Sequence, residues 1–369
     1  MDQIGIAVIG LGWMGRVHTQ AYLRLPQHYP DLPVPKLIAV ADDVPDRAAR
    51  AAARFGFAAA TTDWRALLDD PRIGAVSITA PNFLHREIGA AFAATGRHLW
   101  IEKPVGLSAD DARAVAGDGR IAVGFNYRHA PAVQKARAIL RYGGIGAITH
   151  ARFAFLSDYA SAPDGALTWR FQRARGGNGV LGDLGSHAVD LVRHLLGEID
   201  AVVAADTAIF LPRRPAPSGA TTGHERGAGP LREVENEDWF AALLRVGDAR
   251  VTVEASRVAT GEQNHYGFEI HGTSGMLSWD FRRMGELLVD GRPVFAGPGD
   301  GEFGAFQPGP ANAMSFDDLK VIEAALFLRS IVEGVPHGAT LTDAIRAAEV
   351  LSEIAGRAGP GSGTARSAR

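Results

Sequence analysis

Ile4-Gly5-Ile6-Ala7-Val8-Ile9-Gly10-Leu11-Gly12-Trp13-Met14-Gly15 is the stretch on which the reading of the whole chain turns. Ile4 to Ile9 is a short apolar, partly β-branched run, the composition of a strand buried in a parallel sheet. It leads into Gly10-x-Gly12-x-x-Gly15, after which Arg16 to Arg24 reads as helix. Strand, glycine turn and helix together make this spacing a dinucleotide fingerprint. Gly10 permits the tight turn, Gly12 lets the backbone approach a pyrophosphate, and Gly15 lets helix and strand pack closely. Trp13 and Met14 fall in the same turn, where the helix N-terminus faces the anion. An ordinary tight βα turn is the competing reading in a chain with 44 Gly.

The bulk properties narrow the field. A length of 369 residues suggests two domains, each with its own core. The balance of 46% hydrophobic and 21% charged residues is globular, and a net charge of -3 suggests no nucleic-acid partner. The absence of cysteine excludes disulfides, Cys–zinc sites and thiol nucleophiles. Met1-Asp2-Gln3 has no basic n-region, and the following apolar run is too short for a signal peptide or membrane span. No membrane association and a cytoplasmic location are the expectation.

Beyond the glycine turn, Leu25–Pro35 carries four prolines and reads as a loop. Lys36–Ala41 is the second strand, ending at Asp42-Asp43. An acidic residue there is placed to hydrogen-bond adenosine ribose hydroxyls. Asp42 follows Gly15 by 27 residues, beyond the usual ~20, and the proline loop accounts for the excess. Asp42 takes the ribose role and Asp43 the cap of the helix that Pro45 opens; Asp42 as a cap is the alternative. Further strands end at Ala80-Pro81-Asn82, at Glu102-Lys103-Pro104 and at Phe125-Asn126-Tyr127. Strand and helix alternate, so the expected fold is α/β with a doubly wound parallel sheet, a Rossmann domain over residues 1–127. Ligands in such sheets bind beyond the carboxyl ends of the strands, where Gly12, Asp42, Pro81-Asn82, Lys103 and Asn126 all fall. From 128 the grammar changes to strands with few helices between them. Residues 128–355 are expected to form an α+β domain with a large, mostly antiparallel sheet, and 356–369 a disordered tail. Leu211–Glu233 reads as a long surface loop, and Phe316–Glu333 and Thr342–Ala355 as closing helices.

Several of these motifs resemble the Gfo/Idh/MocA family of nicotinamide-dependent oxidoreductases: Gly10–Gly15, Ala80-Pro81-Asn82 with His85, Glu102-Lys103-Pro104, Gly124-Phe125-Asn126-Tyr127-Arg128, and Gly182-Asp183-x-Gly185-x-His187. Within the family, Phe125–Val133, Thr168–Gln172 and Gly219–His224 resemble the levoglucosan-dehydrogenase-like branch, and the inositol dehydrogenases are a second relative. The linker Ala109–Arg120 is shorter than is usual there, and Asp158–Gly165, a possible substrate loop, matches no branch well enough to name a sugar. The resemblance implies NAD as cofactor, a small carbohydrate or cyclitol as substrate, and a homodimer or homotetramer. It implies Lys103, Asp183 and His187 as catalytic residues. It places Ala80, Pro81, Asn82, His85, Glu102, Lys103 and Asn126 with the glycine turn and Asp42 around the cofactor. Tyr127, Arg128, Trp169 and Arg170 join the catalytic residues around the substrate.

The chemistry is coherent. Oxidising a secondary alcohol needs a base for the hydroxyl proton, a donor for the developing alkoxide and a hydride acceptor. Asp183 and His187, four apart, share one helix face, and imidazole has the right unperturbed pKa for a base. Lys103 can donate to the oxygen, or exchange roles with His187. Taken singly, Lys103 also reads as a surface lysine, Asp183 as a helix cap, His187 as a core histidine, and Trp169 with Arg170 as a loop anchor and a surface charge. With no Cys and no further clustered ligand, no metal is expected. Glycoside cleavage by transient oxidation, and a non-catalytic dinucleotide-sensing regulator, are the competing functions. The acidic Asp42 and Asp43, with no arginine immediately following, favour NAD over NADP.

Overall fold

In the computed structural model, which describes residues 3–219 and 225–359, the opening apolar run is β1 (Gln3–Ile9) and the glycine turn leads directly into α1 (Trp13–His28). There follow β2 (Val34–Ala41), α2 (Pro45–Phe55), β3 (Ala59–Thr61), β4 (Ala75–Ile78), α3 (Asn82–Ala93), β5 (His98–Ile101), α4 (Ala109–Arg113) and β6 (Ile121–Val123). Among the described residues these six strands form one parallel sheet in the order β3-β2-β1-β4-β5-β6. This is the doubly wound Rossmann order, with its reversal at β1 and β4. Ile6, Ala7, Val8, Val76 and Leu99 are fully buried, as strands covered on both faces require.

Two local readings are corrected. Helix α1 starts at Trp13 rather than Arg16 and runs through Pro26 to His28, and β2 begins at Val34, so the expected proline loop shrinks to residues 29–33. Pro26 lies in the last turn, where its missing N–H forfeits one bond, and burial of Tyr22, Leu25 and Tyr29 outweighs that loss. The long helix, not a long loop, explains the distance from Gly15 to Asp42. At α2 the N-cap is Val44, with no side-chain cap; Asp42, not Asp43, makes the turn, its Oδ1 accepting from Val44 N at 3.0 Å.

The second sheet comes from a different part of the chain: α5 (Pro131–Arg141), β7 (Ile148–Leu156), the single turn α6 (Arg173–Gly176), α7 (Ser186–Leu196) and β8 (Ala201–Ala208). Within the expected surface loop, β9 (Arg213–Pro215) pairs with β10 (Leu231–Glu233). Residues 220–224 of the stretch Gly219–His224 lie outside the described residues. Then come β11 (Trp239–Val246), β12 (Ala249–Ser256), β13 (His265–Gly272), β14 (Met276–Asp280), β15 (Glu286–Val289) and β16 (Arg292–Phe295). The eight-stranded sheet has the order β16-β15-β14-β13-β7-β12-β11-β8. It is antiparallel except where β7 meets β12. Phe240, Leu244, Val251, Val253, Phe153 and Ile270 alternate onto its buried face. Gly185 sits hard against it: a Cβ there would lie 2.8 Å from the Phe240 ring, so only glycine lets the chain before α7 pack so closely.

Two helices complete the chain, α8 (Phe316–Glu333) and α9 (Leu341–Ala358). Ser315 and Asp318 start α8 with a capping box, and Gly334 at φ 72° ends it. Contacts divide the chain into two units, one holding the chain up to Asn126 together with Ser315–Arg346, the other Tyr127–Met314 and the chain from Ala347 on. The first cut falls where the sequence changes grammar. The second corrects the expectation of one continuous domain over 128–355, because α8 packs its buried Leu319, Val321 and Ile322 within the Rossmann unit, beside α1. The tail expected from 356 is helical as far as Ala358; residues 360–369 lie outside the described residues. Among the described residues no helix is long and apolar enough to cross a membrane.

Candidate functional site

In the Rossmann unit the expected cofactor residues gather at the carboxyl ends of β1, β2, β4, β5 and β6. Gly10 has φ 89°, and a Cβ on it would lie 2.7 Å from Ala80 N. On Gly15 a Cβ would lie 1.9 Å from Gly10 O. Gly12 is different: its added Cβ would meet nothing within 4 Å, so this glycine borders open space. It is also the N-cap of α1, which has no side-chain cap and no acidic residue in its first turn. The unpaired N–H groups of a 16-residue helix therefore face that space, a natural seat for a pyrophosphate. Thr79, which the sequence reading missed, pins the turn by donating to Gly10 O at 2.6 Å.

Asp42 is 6% exposed and accepts from Leu11 N at 2.7 Å, so it holds the glycine turn as well as its own. Arg47 approaches it at 3.4 Å. A carboxylate accepts about four bonds, which leaves capacity for a ribose hydroxyl. Ala80, Pro81 and Asn82 form the uncapped start of α3. Trp13 is 57% exposed and stacks on Phe316 with ring centroids 5.2 Å apart. Asn126 is 1% exposed and its Nδ2 has no hydrogen-bond partner among the described residues. Such an orphaned donor is costly unless something else accepts from it. Open glycine, bare helix N-terminus, buried carboxylate and orphaned amide fit a dinucleotide.

Two expected cofactor residues are occupied otherwise. His85 bridges Ala80 O and Pro104 O, each at 2.7 Å, and ties together the two loops that follow β4 and β5. Burial pushes its pKa down, against the pull of the two carbonyls. Glu102 is buried, and its carboxylate accepts from His18 Nε2 at 2.9 Å and from Lys320. Burial alone would raise its pKa, but Lys320 and His18 prevail and hold it well below the usual carboxylate range. Lys103, next in the chain and partly exposed, is joined to Pro104 by a cis peptide.

The second unit holds Asp183 and His187. Asp183 lies in a π-helical turn, Leu181–Gly185, at the head of α7, a rare geometry that recurs at functional sites. The N-cap of α7 is Gly185, with no side-chain cap bond. The Asp183 carboxylate instead accepts from Tyr159 Oη at 2.8 Å. Burial, then the charge of Asp183, pushes the Tyr159 phenol well up, so it stays protonated and donates. His187 is 7% exposed, and the Tyr127 ring meets it edge-to-face at 4.8 Å. Tyr266 Oη donates to His187 O at 2.8 Å, fixing the backbone.

The expected substrate residues separate here. Tyr127 is 5% exposed among Phe155, Tyr266, Phe281 and His187, so it supports His187 rather than presenting an open surface. Arg128 is committed to Asp190, one turn beyond His187, its Nε donating to Oδ2 at 2.7 Å in a bidentate pair. Trp169 and Arg170 stay half-buried, with the guanidinium 4.3 Å from the indole centroid. Phe171 behind them is sandwiched by Arg214 and Arg257, at 4.3 and 4.4 Å. Arg257 pairs with the fully buried Asp238 at 2.8 Å, and Asn236 Nδ2 donates to Arg170 O at 2.9 Å. This buried polar cluster, with Tyr159 and Asp190, escaped the sequence reading, since its members lie far apart in the chain.

Two family models match: an oxidoreductase family NAD-binding Rossmann fold over residues 4–118, and a Gfo/Idh/MocA C-terminal domain over 133–278. Levoglucosan dehydrogenase of Pseudarthrobacter phenanthrenivorans is 37% identical over 376 residues, covering 96% of each chain. Inositol 2-dehydrogenase of Rhizobium meliloti is 27% identical over 290 residues, covering 76% of each. Among solved structures, a levoglucosan dehydrogenase in complex with NADH and levoglucosan superposes with a TM-score of 0.90 at 34% identity, covering 96% of this chain and 97% of that one. The chain belongs to the Gfo/Idh/MocA family of oxidoreductases. It is an NAD-binding oxidoreductase of the sugar, anhydrosugar or cyclitol dehydrogenase type.

Proposed function

We propose that this dehydrogenase oxidises one ring hydroxyl of a small carbohydrate to a ketone, with anhydrosugars of the levoglucosan kind the first class to test. The observation that carries the reading is the pair Asp183 and His187 on successive turns: a carboxylate held by Tyr159, then an imidazole set edge-on by Tyr127. His187 takes the hydroxyl proton, Asp183 orients the substrate or the imidazole, and Lys103 donates to the oxygen as charge develops on it. Bound NAD supplies the hydride acceptor, so the carbon loses its hydrogen with the bonding electron pair while the oxygen loses a proton. Gly10, Gly12, Gly15, Asp42 and Asn126 are the residues that would hold it, with Trp13, Met14, Ala80, Pro81 and Asn82 around them. Trp169 and Arg170 offer the flat, cationic surface against which a sugar ring stacks. The identity of 37% over nearly the whole chain to a levoglucosan dehydrogenase supports an anhydrosugar over an inositol. Self-association as a homodimer or homotetramer, by the sheet face opposite α5 and α7, belongs to the same reading. NADH formation across a panel of anhydrosugars, pyranoses and inositols tests it. Turnover of an anhydrosugar above the other classes is the expected result, and NADH formation with none of the panel would overturn the reading.

A further inference from the structure

Lysine is almost never fully buried unless paired, yet Lys320 on α8 is 1% exposed. Its ammonium bridges two carboxylates: that of Glu102, and that of Glu323 one turn on, at 2.8 Å. Glu102 is the residue immediately after β5 and immediately before Lys103. The hydrogen bonds around it all run one way. An ionised carboxylate only accepts, so His18 donates from Nε2, and its Nδ1 accepts a hydrogen bond from Ser77 Oγ at 3.2 Å. Ser77 in turn accepts from Tyr22 at 3.0 Å. His18 stacks on Trp100 at 3.5 Å, and the Lys320 ammonium lies 5.7 Å from the same ring. On the remaining side is Gly124, where a Cβ would fall 2.5 Å from a Glu102 oxygen, so a side chain there would displace the carboxylate.

We propose that Lys320 is a positioning residue for Lys103: by holding the Glu102 carboxylate from α8, it fixes the strand end from which Lys103 leaves the sheet. The inference rests on the proposed catalytic role of Lys103. A buried ion pair is seldom better for stability than apolar residues of equal volume. What it adds is direction: the backbone N–H of Glu102 is held by Ile78 O at 2.9 Å, and Lys320 from α8 and His18 from α1 fix its side chain, which an apolar pair would leave without directional contacts. Lys103 is one peptide bond away, and misplacing a reacting group by about 1 Å can cost about 10²-fold in rate.

The test compares Lys320→Met, Lys320→Arg and Glu323→Gln for turnover, NAD affinity by calorimetry, melting temperature and amide hydrogen exchange over residues 101–105. Lys320→Met is expected to lower kcat at least about tenfold and to speed exchange over 101–105, with NAD affinity within about threefold of wild type. Lys320→Arg recovers part of the rate. Glu323→Gln, which leaves the Lys320–Glu102 pair in place, keeps kcat within about threefold and the exchange unchanged. If Lys320→Met does not fold, the charge-free variant Glu102→Gln/Lys320→Met/Glu323→Gln carries the same expectation. Wild-type kcat and exchange in a folded Lys320→Met or charge-free protein would overturn the inference, as would an equal loss in Glu323→Gln. A Lys103→Met control separates the two claims. If Lys103→Met is inactive while Lys320→Met is unimpaired, only the positioning role fails; if Lys103→Met turns over normally, the catalytic reading itself fails.

Discussion

Arg128 and Asp190 form a bidentate ion pair with side chains only 8% and 3% exposed. Removing one member leaves the other charged and buried, so Arg128→Ala is expected to cost about 3–5 kcal/mol of stability. Denaturant unfolding measures it, and a loss below about 1 kcal/mol would mean that water already satisfies Asp190. Lys103 and His187 are expected to behave in the opposite way. Lys103→Met and His187→Ala each remove proton transfer or alkoxide stabilisation, and each should lower turnover by at least about 10²-fold. NAD affinity should change only modestly. Steady-state rates beside calorimetric NAD titration check this, and near-native turnover in either variant would contradict the assigned role. Residue types and spacing marked the pair, but not which neighbours hold them. Tyr159, which grips Asp183 from 24 residues away, stood out in no local pattern. Arg128 misled because a cation in a functional motif looks the same in sequence whether it faces a ligand or a buried carboxylate.

The glycine turn separates two roles that its spacing runs together. Gly15→Ala would press a Cβ to 1.9 Å from Gly10 O, so the start of α1 must move away from β1. Gly12→Ala meets no protein atom within 4 Å and has an ordinary φ of -64°. The expected outcome is a lowered melting temperature for Gly15→Ala alone, with NAD affinity weakened in both. Thermal melts with and without NAD decide it; a destabilised Gly12→Ala would mean that the turn is tighter than the glycine geometry indicates. At this scale much was legible: β1, its turn and α2 follow from local composition, and β12 (ARVTVEAS) alternates apolar and polar residues as a half-buried strand does. The hairpin β15–β16 was missed although Asp290-Gly291, at φ 51° and 74°, is a strong two-residue turn signal. The π turn at Asp183 was not readable, because Leu181–Leu196 keeps a helical pattern through it, and the close packing of Gly185 on Phe240 leaves no mark in the local sequence. Prolines were overweighted at α1, where core contacts overrule one lost hydrogen bond.

At the scale of the molecule, two units need not unfold as one transition, and acid should find the Rossmann unit first. His18 is held at about 4, chiefly by burial and further by the Lys320 charge, against the hydrogen bond to Glu102. Its folded value lies below the ordinary 6.5, so the unfolded chain binds more protons between the two. The stabilisation is therefore full above about pH 6.5 and lost as pH falls towards about 4, a change of about 3 kcal/mol. Glu102, also held low, adds a further loss as pH falls below the ordinary carboxylate range. Urea unfolding at a series of pH values should show this slope, and His18→Gln should flatten its upper part; an unchanged slope would exclude His18 as the source. The division into two units was legible at Asn126 because strand–helix alternation ends there. The return of Ser315–Arg346 was not, since the pattern of α8 shows that it is buried but not in which unit.

That return sets a schedule for the nascent chain. Glu102 leaves the ribosome 218 residues before Lys320, a delay of roughly 10–40 s at ordinary elongation rates. Through that interval the six strands have their partners, but one acidic side chain in their midst has no counter-ion and α1 has no α8 beside it. The dinucleotide unit, although translated first, is finished after the sheet that interrupts it, and any agent that shelters new chains would meet it in that half-built form.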